Sequence, residues 1–420
     1  MTFPHFPCFP HFPFFMSTAI FFNIPAHGHT NPTLPLVKEL VRRGERVIYY
    51  NAEPFRAKVE ETGATFRAYD MGDKFGIGHG ADSPLDAMAR IMSAAEVVIP
   101  RVLDEVRAEQ PDYIIYDSMC VWGKQIARIL ERPAVCSCSI FFVGAKNFAA
   151  LPRDRAMFSN TFGQAPHAAR WLWQSWNAAR RIKKRYGVES PTPFDFFGNP
   201  GDLTLVYTSR YFQLGGELFD GAFKFVGPSI APRDDHSDFP FDWLDGGPVI
   251  YVSLGTIFND RPDFFRACLE AFGGARYRVV MAIGNKVAAD SLGAIPDNFL
   301  LRPHVPQLEI LPRVSLFITH GGMNSATESA WYGVPMLVAP QMGDQLVVAR
   351  RVAQLGAGLL VDSRRFTAQT LREAAEKVMS SETFREQSRA IGQSLREAGG
   401  YARAADEVLS FVNHYNEFGE

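Results

Sequence analysis

Residues 304–345 read HVPQLEILPRVSLFITHGGMNSATESAWYGVPMLVAPQMGDQ, and this stretch decides the fold. Val314–Thr319 is an apolar run bounded by polar residues, the pattern of a strand buried on both faces of a parallel sheet. His320-Gly321-Gly322 follows as a tight turn, Asn324-Ser325 opens a helix, and Pro335–Ala339 is a second short strand. The two glycines let the chain turn sharply with no side chain in the way, so the N–H groups and positive dipole end of the helix face outward. Such a terminus binds an anion, here a diphosphate, without a P-loop lysine. Asp344 and Gln345 come just after the second strand and offer acceptors and donors to hydroxyl groups.

Outward from this unit, two strand–helix series appear. The first runs through strand Ala19–Ile24, loop Pro25–Thr30, helix Pro32–Arg43 and strand Arg46–Tyr50. In that helix Asn31 is read as the N-cap, Pro32 as a first-turn residue and Gly44 as the exit. A helix around Pro54–Glu61, strand Thr65–Tyr69, a long helix Leu85–Ala108, strand Tyr113–Tyr116, a helix near Val121–Leu130 and strand Ala134–Ser137 complete it. The second series holds strands Pro248–Leu254, Tyr277–Ile283 and Asn298–Arg302 before the opening stretch, then helices Arg365–Met379, Thr383–Ala398 and Tyr401–Tyr415. Alternation of this kind makes doubly wound parallel sheets. Between the series, Gly227-Pro228, Pro232 and Arg233-Asp234-Asp235 read as a linker. The expected division is 1–15 as a disordered extension, 16–226 and 241–398 as Rossmann-like domains, 227–240 as linker and 399–420 as a closing helix.

At 420 residues, 47% apolar and 21% charged, the chain has the composition of two ordinary globular domains. A net charge of −2 gives no reason to expect nucleic acid. The five cysteines lack metal-ligand spacing, and Cys136-x-Cys138 lies in an apolar strand run, so a reducing cytoplasm is the expectation. No run reaches the roughly 18 apolar residues of a membrane span. MTFPHFPCFPHFPFF at 1–15 alternates Phe and Pro and lacks the basic start of a secretory signal; Met16 is read as the natural start. Trp171–Arg185, WLWQSWNAARRIKKR, reads either as a helix lying on an anionic membrane or as an acceptor-side helix with its aromatics buried and its arginines solvated. The second reading is preferred, and no membrane surface is expected.

Pro25–Pro32, PAHGHTNP, follows the first strand at the carboxyl edge of its sheet, where ligands bind in open α/β folds. His27 and His29 are two apart and cannot both face one site. Asp117 closes the Tyr113–Tyr116 strand at the same edge, where it can accept an imidazole N–H or cap the following helix.

Pro306-Gln307, Thr319-His320-Gly321-Gly322, Asn324-Ser325, Glu328, Gly333-Val334-Pro335 and Asp344-Gln345 together resemble the donor-binding signature of UDP-dependent family 1 glycosyltransferases, bacterial macrolide and flavonoid branch. The likeness extends from Met16 to about Val412. It implies an α/β chain of two facing doubly wound Rossmann-like domains, the glycosyltransferase-B fold, with a cleft between them and the last helix crossing back onto the N-terminal domain. It aligns the family's base with His29, leaving His27 to line the pocket, and pairs His29 with Asp117. By the same likeness His304, Val305 and Gln307 face the nucleoside, and His304 stands where plant members carry a stacking tryptophan. Glu328, read as a first-turn residue, would accept ribose hydroxyls. Ser253, Thr256, His320, Gly322, Asn324 and Ser325 would hold the diphosphate, and Asp344 and Gln345 the sugar, a pair that suits glucose in the family. Phe141 and Phe142 are assigned to the acceptor pocket, with loops Met71–Pro84 and Phe141–Pro191 around it. There is no DxD motif, so neither metal nor cofactor is expected beyond a UDP-sugar co-substrate. The partners implied are that donor and a lipophilic hydroxylated acceptor, for a monomer or homodimer. A membrane-lipid or sterol acceptor, a TDP-sugar donor and a catalytically silent sugar-nucleotide binder are the rival readings. A dinucleotide oxidoreductase is disfavoured, because no GxGxxG follows an early strand.

Overall fold

A computed structural model describes residues 17–69, 84–151, 165–191, 198–231, 238–256, 259–341 and 343–418. The Phe-Pro extension, most of loop Met71–Pro84, part of the Phe141–Pro191 region and the centre of the linker lie outside the described residues.

Two parallel sheets organise the chain. The first has the order β3-β2-β1-β4-β5-β6-β7, from Thr65–Ala68, Arg46–Asn51, Thr18–Phe22, Tyr113–Asp117, Ala134–Cys138, Leu203–Val206 and Phe223–Phe225. The second has the order β10-β9-β8-β11-β12-β13, from Phe299–Arg302, Arg278–Ala282, Val249–Ser253, Val314–Thr319, Met336–Val338 and Gly358–Leu360. Each sheet is apolar on both faces, as helix crossovers require. In β4, Tyr113 and Ile115 join the cluster on one face while Ile114 and Tyr116 join that on the other. In β11, Leu316 and Ile318 pack to one side and Val314 and Phe317 to the other, with a register shift between Val314 and Leu316.

Strand order reverses between β1 and β4 in the first sheet and between β8 and β11 in the second. Loops leaving such a reversal run to opposite faces and open a crevice at the carboxyl ends of the strands. His29 and Asp117 follow β1 and close β4; Ser253 and His320 close β8 and follow β11. Both groups of expected site residues therefore lie at switch points.

The halves are joined by packing as well as by chain. Phe141, Phe212 and Leu214, from connections of the first sheet, enter a core cluster of the second. Arg351 donates to the carbonyls of Tyr211 and Phe212, and the Ser209 and Ser394 hydroxyls meet at 2.7 Å. The helix Gly400–Phe418 lies on the helix Leu34–Arg42, burying Ala404, Ala405, Val408 and Val412 with Leu36, Val37 and Leu40.

Three local expectations are corrected. After β1 the chain makes a helical turn, His27–Thr30, and the next helix is Leu34–Arg42, with Thr33 at its N-cap position and Pro35 in its first turn. Asn31 is not the N-cap of that helix but the C-cap of the short turn, its N–H bonding the His27 carbonyl. Glu328 lies in the second turn of the helix Met323–Trp331, and Asp344 and Gln345 open the helix Gly343–Gln354. The preferred reading of Trp171–Arg185 also fails in one respect. It is helical, within Ala165–Tyr186, but Trp173 and Trp176 are 65% and 56% exposed. Among the described residues no helix is long and apolar enough to cross a membrane.

Candidate active site

The His27–Thr30 turn places residues 27 and 29 on opposite sides of a helix, so only one imidazole can reach the β4 edge. It is His29. Its Nδ1 lies 2.8 Å from Oδ2 of Asp117, whose side chain is fully buried. The other carboxylate oxygen, Oδ1, accepts the Met119 N–H at 2.9 Å, so the aspartate holds the following turn and the histidine together. A second group contacts the same ring nitrogen: Ser139 Oγ at 3.1 Å, one residue beyond β5. Nothing in the sequence singled out Ser139, since a lone serine after an apolar strand has many ordinary uses. Its only signal is position, at the carboxyl end of the strand beside Asp117.

With Nδ1 directed at a carboxylate, the neutral ring carries its proton there and leaves Nε2 as the basic nitrogen. Burial is the largest single influence on His29 and depresses its pKa. The charge and hydrogen bond of Asp117, with a further contribution from Asp344, outweigh it, and the net shift is upward. His27 is instead exposed beside Phe55, its ring 4.9 Å from that ring. Burial, then Lys58 and His304, push its pKa down. Among the described residues no carboxylate pairs with His27 as Asp117 pairs with His29.

On the opposite wall, Gly321 has φ +82°, and a Cβ there would lie 2.5 Å from Val338 Cγ1. Gly322 occupies the N-cap position of Met323–Trp331, directing the first N–H groups of that helix outward. The His320 ring is clasped between glycines: a Cβ on Gly322 would come 2.5 Å from its Nε2, and one on Gly255 2.6 Å. Gly255 itself has φ +78°, and its carbonyl accepts from Asn259 Nδ2 at 2.8 Å. Burial drives the His320 pKa down to about 4, against a weaker upward pull from its hydrogen bond to the Ser253 backbone. The ring is therefore neutral near pH 7. Gly321→Ala forces a left-handed backbone on a residue with a Cβ and a clash with β12. It should cost about 2–5 kcal/mol of stability, summing about 1–2 for the backbone and about 1–3 for overpacking. Chemical denaturation checks this; a loss below about 1 kcal/mol would show that the turn is not constrained as described.

Glu328 is buried, 3% exposed, and its Oε2 accepts from Gln307 Nε2 at 2.6 Å; the Tyr251 hydroxyl donates to Gln307 Oε1 at 3.3 Å. The glutamate is thus a held carboxylate, and Gln307 is the group that holds it. His304 is exposed, 3.2 Å from Asn285 through Nε2, and its field reaches His27 on the facing domain. Val305 packs partly into the second-sheet core, Ser253 is buried, and Thr256 is exposed. Gln345 accepts the Gln341 N–H at 2.8 Å. Asp344 is exposed, but local desolvation by the surrounding protein lifts its carboxyl above the usual range, opposed by His29. Phe141 and Phe142 are each 4% exposed; Phe141 packs on Phe212, and Phe142 edge-on against Phe219 and Phe223. Both rings lie within the cores behind the cleft. Among the described residues no cluster of three or more His, Cys, Asp or Glu is arranged to hold a metal.

One contact joins the walls. Asn324 Nδ2, in the first turn of the helix Met323–Trp331, donates to the carbonyl of Gly28, the residue before His29, at 3.1 Å. His29 and the helix terminus consequently lie on facing walls between the two sheets. A His–Asp pair with a fully buried aspartate, facing an outward-directed helix N-terminus across two parallel-sheet domains, has the geometry of a group-transfer site: a basic nitrogen on one wall and N–H groups suited to an anion on the other.

The comparisons narrow that class. The C-terminal domain model of erythromycin biosynthesis protein CIII-like proteins matches residues 266–398. The chain is 37% identical to YojK, an uncharacterized UDP-glucosyltransferase of Bacillus subtilis (strain 168), over 94% of this chain and 98% of that one. It is 34% identical to the NDP-glycosyltransferase YjiC of the same organism, covering 93% and 96%. The crystal structure of the calicheamicin glycosyltransferase CalG4 superposes with a TM-score of 0.78 at 28% identity, covering 95% and 99%. The chain belongs to the family 1 glycosyltransferases, in their bacterial macrolide branch, and has the glycosyltransferase-B fold.

Proposed function

We propose that this glycosyltransferase moves a hexose, glucose in the first instance, from a UDP-sugar to a hydroxyl of a lipophilic small molecule such as a macrolide, a flavonoid or another phenolic. The observation that carries this reading is the 2.8 Å His29–Asp117 pair opening onto the same cleft as the helix at Met323, with Asn324 and Gly28 in contact across it. The acceptor O–H gives its proton to His29 Nε2 while its oxygen attacks the anomeric carbon. The bond from that carbon to the phosphate oxygen breaks, and UDP leaves with the electron pair. Asp117 stabilises the imidazolium, which then loses its proton to water. Attack from the face opposite the phosphate inverts the centre, so an α-linked donor gives a β-glycoside.

The departing diphosphate gains negative charge, and the helix N–H groups, Ser325 and the neutral His320 are the groups we assign to meet it, with Ser253 and Thr256 beside them. Preorganised donors of this kind need no reorientation as charge develops. Gln307 and Glu328 are assigned to the ribose, Asp344 and Gln345 to the sugar, and no metal is assigned a role. A TDP-sugar donor is the second reading, favoured by His304: an exposed imidazole gives a smaller stacking surface than an indole. Mass spectrometry of reactions pairing UDP- and TDP-sugars with macrolide, flavonoid and simple phenol acceptors tests both. The first reading expects hexosylated product from UDP-glucose; product from TDP-sugars alone would replace it with the second. Absence of transfer from any donor would refute both.

A further inference from the structure

We propose that the exposed face of the helix Ala165–Tyr186 docks the enzyme on an anionic lipid surface. The sequence alone favoured buried aromatics here and no membrane contact; the structure turns Trp173 and Trp176 outward. Ser175, Ala178 and Ile182, spaced i, i+3, i+7, are buried and mark the inward face. Leu172, Trp173 and Trp176 are 47%, 65% and 56% exposed. Successive residues turn by about 100°, so Leu172, Trp176, Arg180 and Lys183 form one stripe, with Trp173 and Lys184 flanking it, all within an arc of roughly 120°.

Isolated surface apolar groups are ordinary, but two indoles and a leucine within two turns are a patch. Its charge names the partner. The helix carries six basic side chains and no acidic one. Arg181 is paired with Glu96 and Lys183 with Glu189, whereas Arg180 lies over the Trp176 ring at 4.4 Å, and Lys184 is exposed. An apolar small molecule or a buried protein interface gains nothing from that basic run. An anionic headgroup layer takes indoles at the acyl boundary and lysine and arginine at the phosphates. The contact is peripheral, since the helix is not apolar enough to span.

The test is co-sedimentation of the intact protein with vesicles of phosphatidylcholine alone or mixed with phosphatidylglycerol. Binding is expected only to the mixed vesicles, weakening as salt rises. Trp173→Ala with Trp176→Ala should reduce it about tenfold or more. Arg180→Gln with Lys184→Gln should reduce it about 25-fold, fivefold for each charge removed. Because these side chains are exposed, both variants should keep the parent melting temperature; if the tryptophan pair is unstable, the charge pair still decides. No binding to mixed vesicles overturns the proposal, as does equal binding to neutral ones or binding indifferent to both variants. Self-association abolished by the tryptophan variant, with vesicle binding unchanged, would make the occupant a second copy and equally overturn it.

Discussion

Replacing His29 with alanine is expected to lower kcat by about 10²–10⁴-fold, the range that positioned general base assistance contributes. Donor KM should change little, because His29 touches the first domain's edge and not the helix terminus assigned to the diphosphate. The pH profile should change with it. His29 has its pKa raised above 6.5, so in the parent enzyme kcat/KM should fall as pH drops through that raised value and the imidazolium loses its capacity to accept a proton. That limb should vanish in the alanine variant. The same shift contributes stability: a base whose pKa is higher folded than unfolded adds stability fully present below the unfolded value and lost as pH rises through the folded one. His320 runs the other way. With its pKa near 4, the folded state loses stability as pH falls from about 6.5 toward 4, because the unfolded chain binds the proton first. An unchanged kcat in His29→Ala would remove the base from the mechanism.

Asp117→Asn should be comparably damaging, on the order of 10³–10⁴ in kcat, the scale seen when a buried aspartate that fixes a catalytic tautomer is neutralised. The geometry explains why an isosteric change can cost so much. The carboxylate accepts from Nδ1 and makes Nε2 the base; an amide can present its own N–H to Nδ1, moving the ring proton to Nε2. Ser139, 3.1 Å from Nδ1, has a hydroxyl that can donate to the same atom and reinforce the unproductive tautomer. The acidic limb of the profile should also move to lower pH, since the upward pull of Asp117 on His29 is gone while burial remains. Kinetics across pH check both features. A modest loss with an unmoved limb would mean that Asp117 serves only the turn at Met119.

The parts of this arrangement that periodicity governs were legible in advance. Val314–Thr319 is the observed strand residue for residue, because a buried parallel strand must be apolar throughout and polar residues mark its ends. Short edge strands were not: Phe223–Phe225 and Gly358–Leu360 are too brief to set a period. Asn31 and Pro32 look like a helix start, yet the chain uses an extra turn first, and that turn separates His27 from His29. Depth was equally illegible. Glu328 reads as a first-turn carboxylate placed to accept ribose hydroxyls, but its burial and its contact with Gln307 come from tertiary packing that the local pattern does not encode. Ser139 and Gly255 owe their places to neighbouring strands distant in sequence, which no local pattern encodes. Conversely, Trp173 and Trp176 look like core on composition, and the face they occupy depends on where the helix packs.

The central claim is that one cleft holds both reacting partners, and a crystal structure with UDP and a glycosylated acceptor bound tests it most directly. The account predicts the diphosphate on the N–H groups following Gly322, and the acceptor oxygen about 2.6–3.2 Å from His29 Nε2. UDP bound away from that helix terminus, or an acceptor oxygen out of reach of His29 with the domains closed, would contradict it.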